Sequence, residues 1–296
     1  VLEHKGHDAR IAGNVVLLGG TGFLGRQLAL VLRERGAAVR VLGSADIELT
    51  AQGAAAALAD AWGADDALVF LSAITPDRGR GIDAFMANLR MAEAVCAAIS
   101  ASPPRHVVYL SSDAVYPFGD APISECSAPS APDLYGAMHW AREVMLGSVA
   151  RGRLAVLRST LLYGAGDPHN SYGPNRLRRM ACNKGTITLF GAGEETRDHV
   201  TATDAAHIVA EVLAHGSTGL LNVASGRSVN YDDLARRIAN LFDEPVEVTH
   251  TPRQNPVTHR HFDVTALRRA FPEFRFTNLD AGLRIAHEEM LAGRDA

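Results

Sequence analysis

A run of aliphatic and β-branched residues from Asn14 to Leu18 leads into Gly19-Gly20-Thr21-Gly22-Phe23-Leu24-Gly25, and apolar residues at helical spacing follow from Gln27 to Arg35. A strand, a glycine turn and a helix in that order constrain how such a chain begins to fold. Glycine permits the tight turn and lets backbone approach a pyrophosphate closely. The helix start then offers free N–H groups and the positive end of its dipole to the anion. No Gly-Lys-Ser/Thr follows, so the segment is not a mononucleotide P-loop. The reading is a dinucleotide site formed by Gly19, Gly22, Phe23, Leu24 and Gly25, with a purely structural turn as the alternative. Arg26 either reaches a phosphate or lies solvated on the helix. The second strand ends in Leu42-Gly43-Ser44, with neither an acid for the ribose of NAD nor an arginine for the additional phosphate of NADP, so both cofactors stay open.

The same alternation continues. Strands are predicted at Ala38–Leu42, Ala67–Leu71, Val107–Leu110 and Leu154–Leu157, and helices at Ala54–Trp62, Asp83–Ile99 and Leu134–Val149. This predicts an α/β fold, a Rossmann-type doubly wound parallel sheet, whose short apolar strands are buried on both faces. Gly, Pro and Asn cluster between Ala165 and Asn175 and break the rhythm. Residues 11–164 are therefore read as the dinucleotide-binding domain, and 165–296 as a smaller C-terminal substrate-binding lobe interleaved with the sheet. Val1 to Arg10, mixed in charge, is read as a processed end or an arm outside the fold. A net charge of −4 gives no footprint for nucleic acid or an anionic membrane. No apolar run approaches the ~18 residues of a membrane span. Cys96, Cys126 and Cys182 form no metal or disulfide pattern, so a cytoplasmic location is expected.

Five ordered segments after the glycine turn carry a family resemblance. They are Val108-Tyr109-Leu110-Ser111-Ser112-Asp113-Ala114-Val115-Tyr116, Tyr135-Gly136-Ala137-Met138-His139, Leu157-Arg158 to Tyr163-Gly164, Thr196 to Val200 with Asp204, and Asn222 to Gly226. With the Gly19, Gly22, Gly25 spacing, the chain resembles the extended short-chain dehydrogenase/reductases, the NAD-dependent epimerase/dehydratases that act on nucleotide sugars. The resemblance implies that Ser112 hydrogen-bonds a substrate oxygen and that Tyr135 is the acid/base for a sugar hydroxyl or keto group. It also implies that Ala73, Asn88 and Ser111 belong to the cofactor wall with Tyr135 and His139, and that Asp113 faces substrate. It further implies that Arg197 and Arg253 bind a diphosphate and that a loop histidine, His169, serves as an acid; Arg178 and Arg179, on the helix after Pro174, are either further cations for the diphosphate or solvated surface. A homodimer through the helices at Asp83–Ile99 and Leu134–Val149 is implied on the same grounds.

Three positions depart from the family. His139 stands where the family carries the lysine that holds the nicotinamide ribose and lowers the tyrosine pKa. Leu161 stands where relatives often carry Asn, and Ala114 removes an acid that dehydratases use for water elimination. The enzyme expected is an NAD(P)-dependent epimerase or ketoreductase on a nucleotide-activated sugar. Two rivals are a cofactor-binding member without turnover and a reductase of a non-nucleotide carbonyl compound. A histidine supplies positive charge only when protonated, so His139→Lys is expected to raise oxidative turnover near neutral pH and shift activity toward lower pH. For the glycine turn the expected outcome is sharper. Gly22→Val abolishes dinucleotide binding in a folded protein, read by calorimetric titration; unchanged affinity removes the dinucleotide assignment.

Overall fold

The computed structural model describes residues 1–6, 11, 13–168 and 173–293. The first part of the chain alternates β1 (Asn14–Leu18), α1 (Phe23–Glu34), β2 (Ala38–Leu42), α2 (Ala54–Ala59), β3 (Ala67–Phe70), α3 (Ile82–Ala101), β4 (His106–Ser112), α4 (Leu134–Val149) and β5 (Leu154–Ser159). There follow β6 (Leu161–Tyr163), α5 (Pro174–Lys184), β7 (Thr186–Phe190), β8 (Thr196–Arg197), β9 (His199–Thr201) and α6 (Ala202–Ala214). The chain ends through β10 (Gly219–Val223), β11 (Val229–Asn230), α7 (Tyr231–Ala239), β12 (Glu247–Thr251), α8 (Thr265–Ala270) and α9 (Leu279–Ala292).

Six strands form one parallel sheet in the order β10-β5-β4-β3-β1-β2. The chain steps from β1 outward to β2, then returns to lay β3 on the other side of β1. The crevice between the carboxyl ends of β1 and β3 is therefore the switch point at which open α/β sheets bind ligands. Register confirms the meeting, with Leu18 opposite Leu42 on one side and Phe70 on the other. Two apolar layers cover the sheet. Leu28, Val31 and Leu32 of α1 pack with Ile208, Val209 and Val212 of α6 on one face. Val95 and Ile99 of α3, Leu58 of α2 and Leu146 of α4 pack on the other. Burying a leucine as completely as Leu28 or Leu32 contributes about 1.5–3 kcal/mol. A separate cluster built on Leu177, Ile187, Leu189, Leu234 and Ile238 forms the core of the second lobe.

The structure corrects the sequence reading in four places. Helix α1 begins at Phe23, four residues before the apolar periodicity suggests, because its first turn packs on the glycines themselves: a Cβ on Gly25 would sit 2.4 Å from the Gly19 carbonyl oxygen and 2.5 Å from Gly20 Cα. Strand β2 is not buried on both faces; it alternates exposed and half-buried residues as the sheet's edge. Strands β4 and β5 run on to Ser112 and Ser159, past apolar positions into polar ones. The first residues are not an arm. Leu2 is buried, Glu3 bridges Thr218, and the His4 ring lies 2.6 Å from Ser217 Oγ and 2.9 Å from the Ala270 carbonyl oxygen. His169 lies outside the described residues. No helix among the described residues is long and apolar enough to cross a membrane.

Polar extension of β4 and β5 is possible because α4 covers it with a carboxylate. Glu143 accepts from Ser111 Oγ at 2.5 Å, from Arg158 Nε at 3.0 Å and from Arg158 Nη2 at 2.6 Å. All three residues are buried, and the Arg158 guanidinium lies 4.7 Å from the Tyr116 ring centre and 5.6 Å from that of Trp140. Removing one partner of a buried pair strands the other charge, at a cost of roughly 3–5 kcal/mol. Glu143→Ala is therefore expected to lose stability of that order in denaturant titration. A loss under about 1 kcal/mol, typical of a surface pair, would contradict this role.

Candidate active site

The turn after β1 is set by Gly19, whose φ of 84° is left-handed and whose Cβ would meet Ser72 N at 2.8 Å. The two strand ends thus approach at a distance only glycine allows. Gly22 caps α1 in extended conformation with no side-chain cap, which leaves the first N–H groups of the helix facing the crevice. A cleft of about 920 Å³ opens there, lined by Gly19, Gly22, Phe23, Leu24 and Gly25 on one side and by Ser111, Ser112, Asp113, Tyr135 and His139 on another. Ala73 lines the same wall. Asn88 lies behind it, its side chain accepting from Ile74 N at 2.9 Å and donating to the Ile74 carbonyl at 3.0 Å, which fixes that stretch of wall. Arg26 donates to the Thr21 carbonyl at 2.8 Å and to the Gly166 carbonyl at 3.3 Å, tying the glycine turn to the start of the second lobe.

Tyr135 and His139 stand one turn apart on α4, their rings 4.7 Å between centres and edge-on at 86°. Asp133 caps this helix, accepting from Gly136 N at 2.9 Å, and so sets its start at Leu134, one residue before Tyr135. Burial, then the neighbouring Tyr109, Asp113 and Asp133, push the Tyr135 phenol well above its ordinary range, with Arg142 opposing. The phenol is a proton donor at neutral pH. His139 is buried, and burial together with Arg142 holds its pKa down to about 3, so it carries no charge under ordinary conditions. Its Nδ1 lies 2.7 Å from the Tyr109 hydroxyl, itself held protonated by burial. The hydroxyl and Nδ1 share this hydrogen bond, and the tautomer of the ring sets which of them donates. Nε2 is buried without a partner among the described residues. It is a polar atom left over beside the cleft, able to exchange a hydrogen bond with a ribose hydroxyl of a bound dinucleotide. Ser112 Oγ donates to Asp113 at 3.3 Å and accepts from Ala114 N at 3.1 Å.

On the substrate side the predicted arginines separate. Arg197 donates to the Thr258 carbonyl at 2.7 Å and to Thr258 Oγ1 at 2.6 Å. Arg253 is held by the carboxylates of Glu194 and Glu195. Neither belongs to the cleft lining, whereas Arg260 does. Arg260 pairs with Asp113 at 3.3 Å, donates to the Tyr116 carbonyl at 2.8 Å and lies 4.3 Å from the Phe118 ring centre, with Arg197 4.9 Å from the same ring. Arg178 is buried against Asn175 rather than solvated, and Arg179 donates to the Asp167 carbonyl. Sequence reasoning also missed the acids beyond β2. Asp46 accepts from Gly43 N at 2.8 Å, and the turn this closes brings Glu48 and Thr50 into the cleft lining beside Ser44. Among the described residues no group of three or more His, Cys, Asp or Glu side chains is arranged to hold a metal.

Residues 15–224 match the sequence profile of the NAD dependent epimerase/dehydratase family. The chain belongs to that family. A dTDP-L-rhamnose 4-epimerase of Burkholderia thailandensis is 32% identical over 146 residues, which is 46% of this chain and 40% of that relative. The match therefore spans less than half the relative's length. Among solved structures, the UDP-glucose 4-epimerase of Thermus thermophilus in complex with NAD has a TM-score of 0.82 at 19% identity, covering 94% of this chain and 99% of that one. RMD from Pseudomonas aeruginosa, complexed with NADPH, has a TM-score of 0.81 at 20% identity, covering 95% and 100%. At such identity the likeness is one of fold, and it is shared by an NAD complex and an NADPH complex alike.

The buried neutral histidines carry a pH signature. Burial lowers His139 and His199 to about 3 and His106 to about 4, from 6.5 in the unfolded chain. The unfolded state therefore binds more protons between those values, and stability rises with pH there. The stabilisation is present above pH 6.5 and lost as pH falls toward 3. Unfolding free energy is expected to drop by up to about 1.4 kcal/mol per pH unit for each such histidine below pH 6. His139→Gln should shallow that slope in melts from pH 7 to 5; an unchanged slope would show that His139 binds protons alike in the folded and unfolded chain.

Proposed function

We propose that the chain is an NAD(P)-dependent epimerase or ketoreductase acting on a nucleotide-activated sugar. The observation that carries this reading is the pairing of Tyr135 and His139 on one turn of α4, facing the glycine turn across a single cleft. The nicotinamide, when bound, supplies or takes up the hydride. The protein's part is to hold and move protons. Tyr135, protonated through burial, donates to the developing alkoxide of a carbonyl substrate. His139 Nε2 would hydrogen-bond the cofactor ribose, and Ser112 Oγ lies within the same lining to bond a substrate oxygen. The glycine turn and the start of α1 would hold the pyrophosphate, and Glu48 beside Ser44 favours a ribose without a 2′-phosphate.

Residues 11–164 with α6 and β10 would form the cofactor-binding unit, and the remainder of 165–296 the substrate lobe. Arg260, with Arg197 stacked on the other contact of Phe118, offers the cationic side of that lobe. The exposed apolar side chains of α3 and α4, Met86, Trp140 and Val144 among them, support a homodimer through those helices, and the three free cysteines support a cytoplasmic location. A second reading, a reductase of a non-nucleotide carbonyl compound, draws on the engagement of Arg253 by Glu194 and Glu195, which leaves that guanidinium committed within the protein.

The test is to follow nicotinamide absorbance with NADH or NADPH and a panel of nucleotide-linked 4-ketosugars beside plain ketones. Turnover confined to the nucleotide-linked compounds is expected, with NADH the better reductant. Tyr135→Phe should lose turnover by about 100-fold or more with dinucleotide affinity kept. Equal reduction of plain ketones would favour the second reading, and cofactor binding without turnover would favour a non-catalytic member.

A further inference from the structure

Proton donation by Tyr135 leaves a phenolate in a wall that already holds carboxylates. Asp133 faces it from the helix cap, Asp113 from the turn after β4, and Tyr109 from β4 itself. An anion created there needs a fixed positive charge nearby. His139 does not provide one, because it is buried and neutral. Arg142 does. It lies three residues beyond His139 and seven beyond Tyr135, the spacing that keeps all three on one side of α4.

Arg142 is completely buried and has no carboxylate partner among the described residues. Its nitrogens donate to the Asn88 carbonyl at 2.9 and 2.7 Å, to Asn88 Oδ1 at 3.0 Å and to the Ser72 carbonyl at 2.7 Å, with Met91 Sδ 3.6 Å away. Its guanidinium is 4.9 Å from the Phe70 ring centre. A buried cation bound only by neutral carbonyls keeps its full charge available to its surroundings, and in low dielectric that charge reaches further than in water. The surroundings are an unbroken row of rings. Phe70 and Tyr109 are 5.5 Å apart, Tyr109 and His139 5.9 Å with the 2.7 Å hydrogen bond between them, and His139 and Tyr135 4.7 Å. The remaining titratable groups facing this cluster are Glu143 on α4, already neutralised by Arg158, and the Cys96 thiol on α3, kept protonated by burial.

We propose that Arg142 is the fixed cation of this active site, a positioning residue that stabilises the Tyr135 phenolate from behind, through Tyr109 and His139, without touching substrate. The inference rests on the reading of Tyr135 as the proton donor. It also reverses the expectation for His139→Lys, because a lysine there would face a second buried cation and gain nothing that Arg142 does not already supply.

The test uses Arg142→Met, Arg142→Lys, His139→Lys and the double variant His139→Lys/Arg142→Met, each checked by thermal melt and dinucleotide titration. Two readouts are taken: oxidative against reductive turnover across pH, and NMR titration of the His139 ring without substrate. Arg142→Met should lower oxidative turnover about tenfold or more, reductive turnover less, and raise the His139 midpoint by about one pH unit. Arg142→Lys should stay near the wild type in both. His139→Lys alone should give no oxidative gain, while the double variant regains most of what Arg142→Met loses. A folded Arg142→Met with an unchanged oxidative-to-reductive ratio and an unchanged His139 midpoint overturns the proposal. So does an oxidative gain in His139→Lys alone, which decides the matter where Arg142→Met does not fold. Absence of turnover in the wild type would instead defeat the reading of Tyr135, and the His139 midpoint would still report whether the charge of Arg142 reaches the cleft.

Discussion

The candidate site depends on how one helix is seated, and buried polar bonds from Glu143 and Arg142 seat it. Glu143 reaches from α4 to Ser111 on β4 and to Arg158 on β5, joining buried polar groups from three elements. Apolar packing alone would let α4 slide or rotate over the sheet by small amounts at little cost, because hydrophobic contacts are non-directional. A bidentate arginine–carboxylate pair has one good geometry. Fixing Glu143 fixes His139 one turn earlier and Tyr135 two turns earlier. The position of the phenol relative to the glycine turn then follows from the sheet register that aligns β1 with β3 and β3 with β4.

The fold was largely legible because its signals are local and repeated. Strand, turn and helix recur with short apolar strands, and a parallel sheet is what such alternation produces. What escaped the sequence reading was whatever depends on tertiary partners. The early start of α1 is invisible to apolar periodicity, since glycines carry no hydrophobic signal and fit there through close packing on Gly19 and Gly20. The polar ends of β4 and β5 look like loop until Glu143 is known to cover them. The leading residues looked dispensable because their bonds, Glu3 with Thr218 and His4 with Ser217, join positions more than two hundred residues apart in the chain.

The site divides along the same line. The glycine turn, Ser112, Tyr135 and His139 were readable because motif and spacing place them, and the cleft gathers them. Arg142 was not singled out, since an arginine in mid-helix reads as a solvated residue; its spacing of three from His139 and seven from Tyr135 was the available signal. Arg260 was passed over for Arg253, seven residues earlier in the same irregular segment, where no periodicity gives direction to a side chain. Glu48 carries no sequence signal because it lies beyond the end of β2, and only the Asp46 turn folds the chain back to the cleft.

The first residues have a consequence for how this molecule coexists with copies of itself. Strand β10 ends the sheet, and an unprotected edge presents backbone groups that recruit strands from other molecules. Here Glu3 pairs with Thr218 at the entrance to that strand, the Val1 carbonyl lies where a Cβ on Gly219 would fall, and Glu125 takes the Asn222 amide at 2.8 Å further along. The strand is thus stoppered at its start by backbone and midway by a carboxylate, an acidic group that an incoming strand would have to strip of its bond. The opening segment occupies backbone positions along this edge that an incoming strand would need.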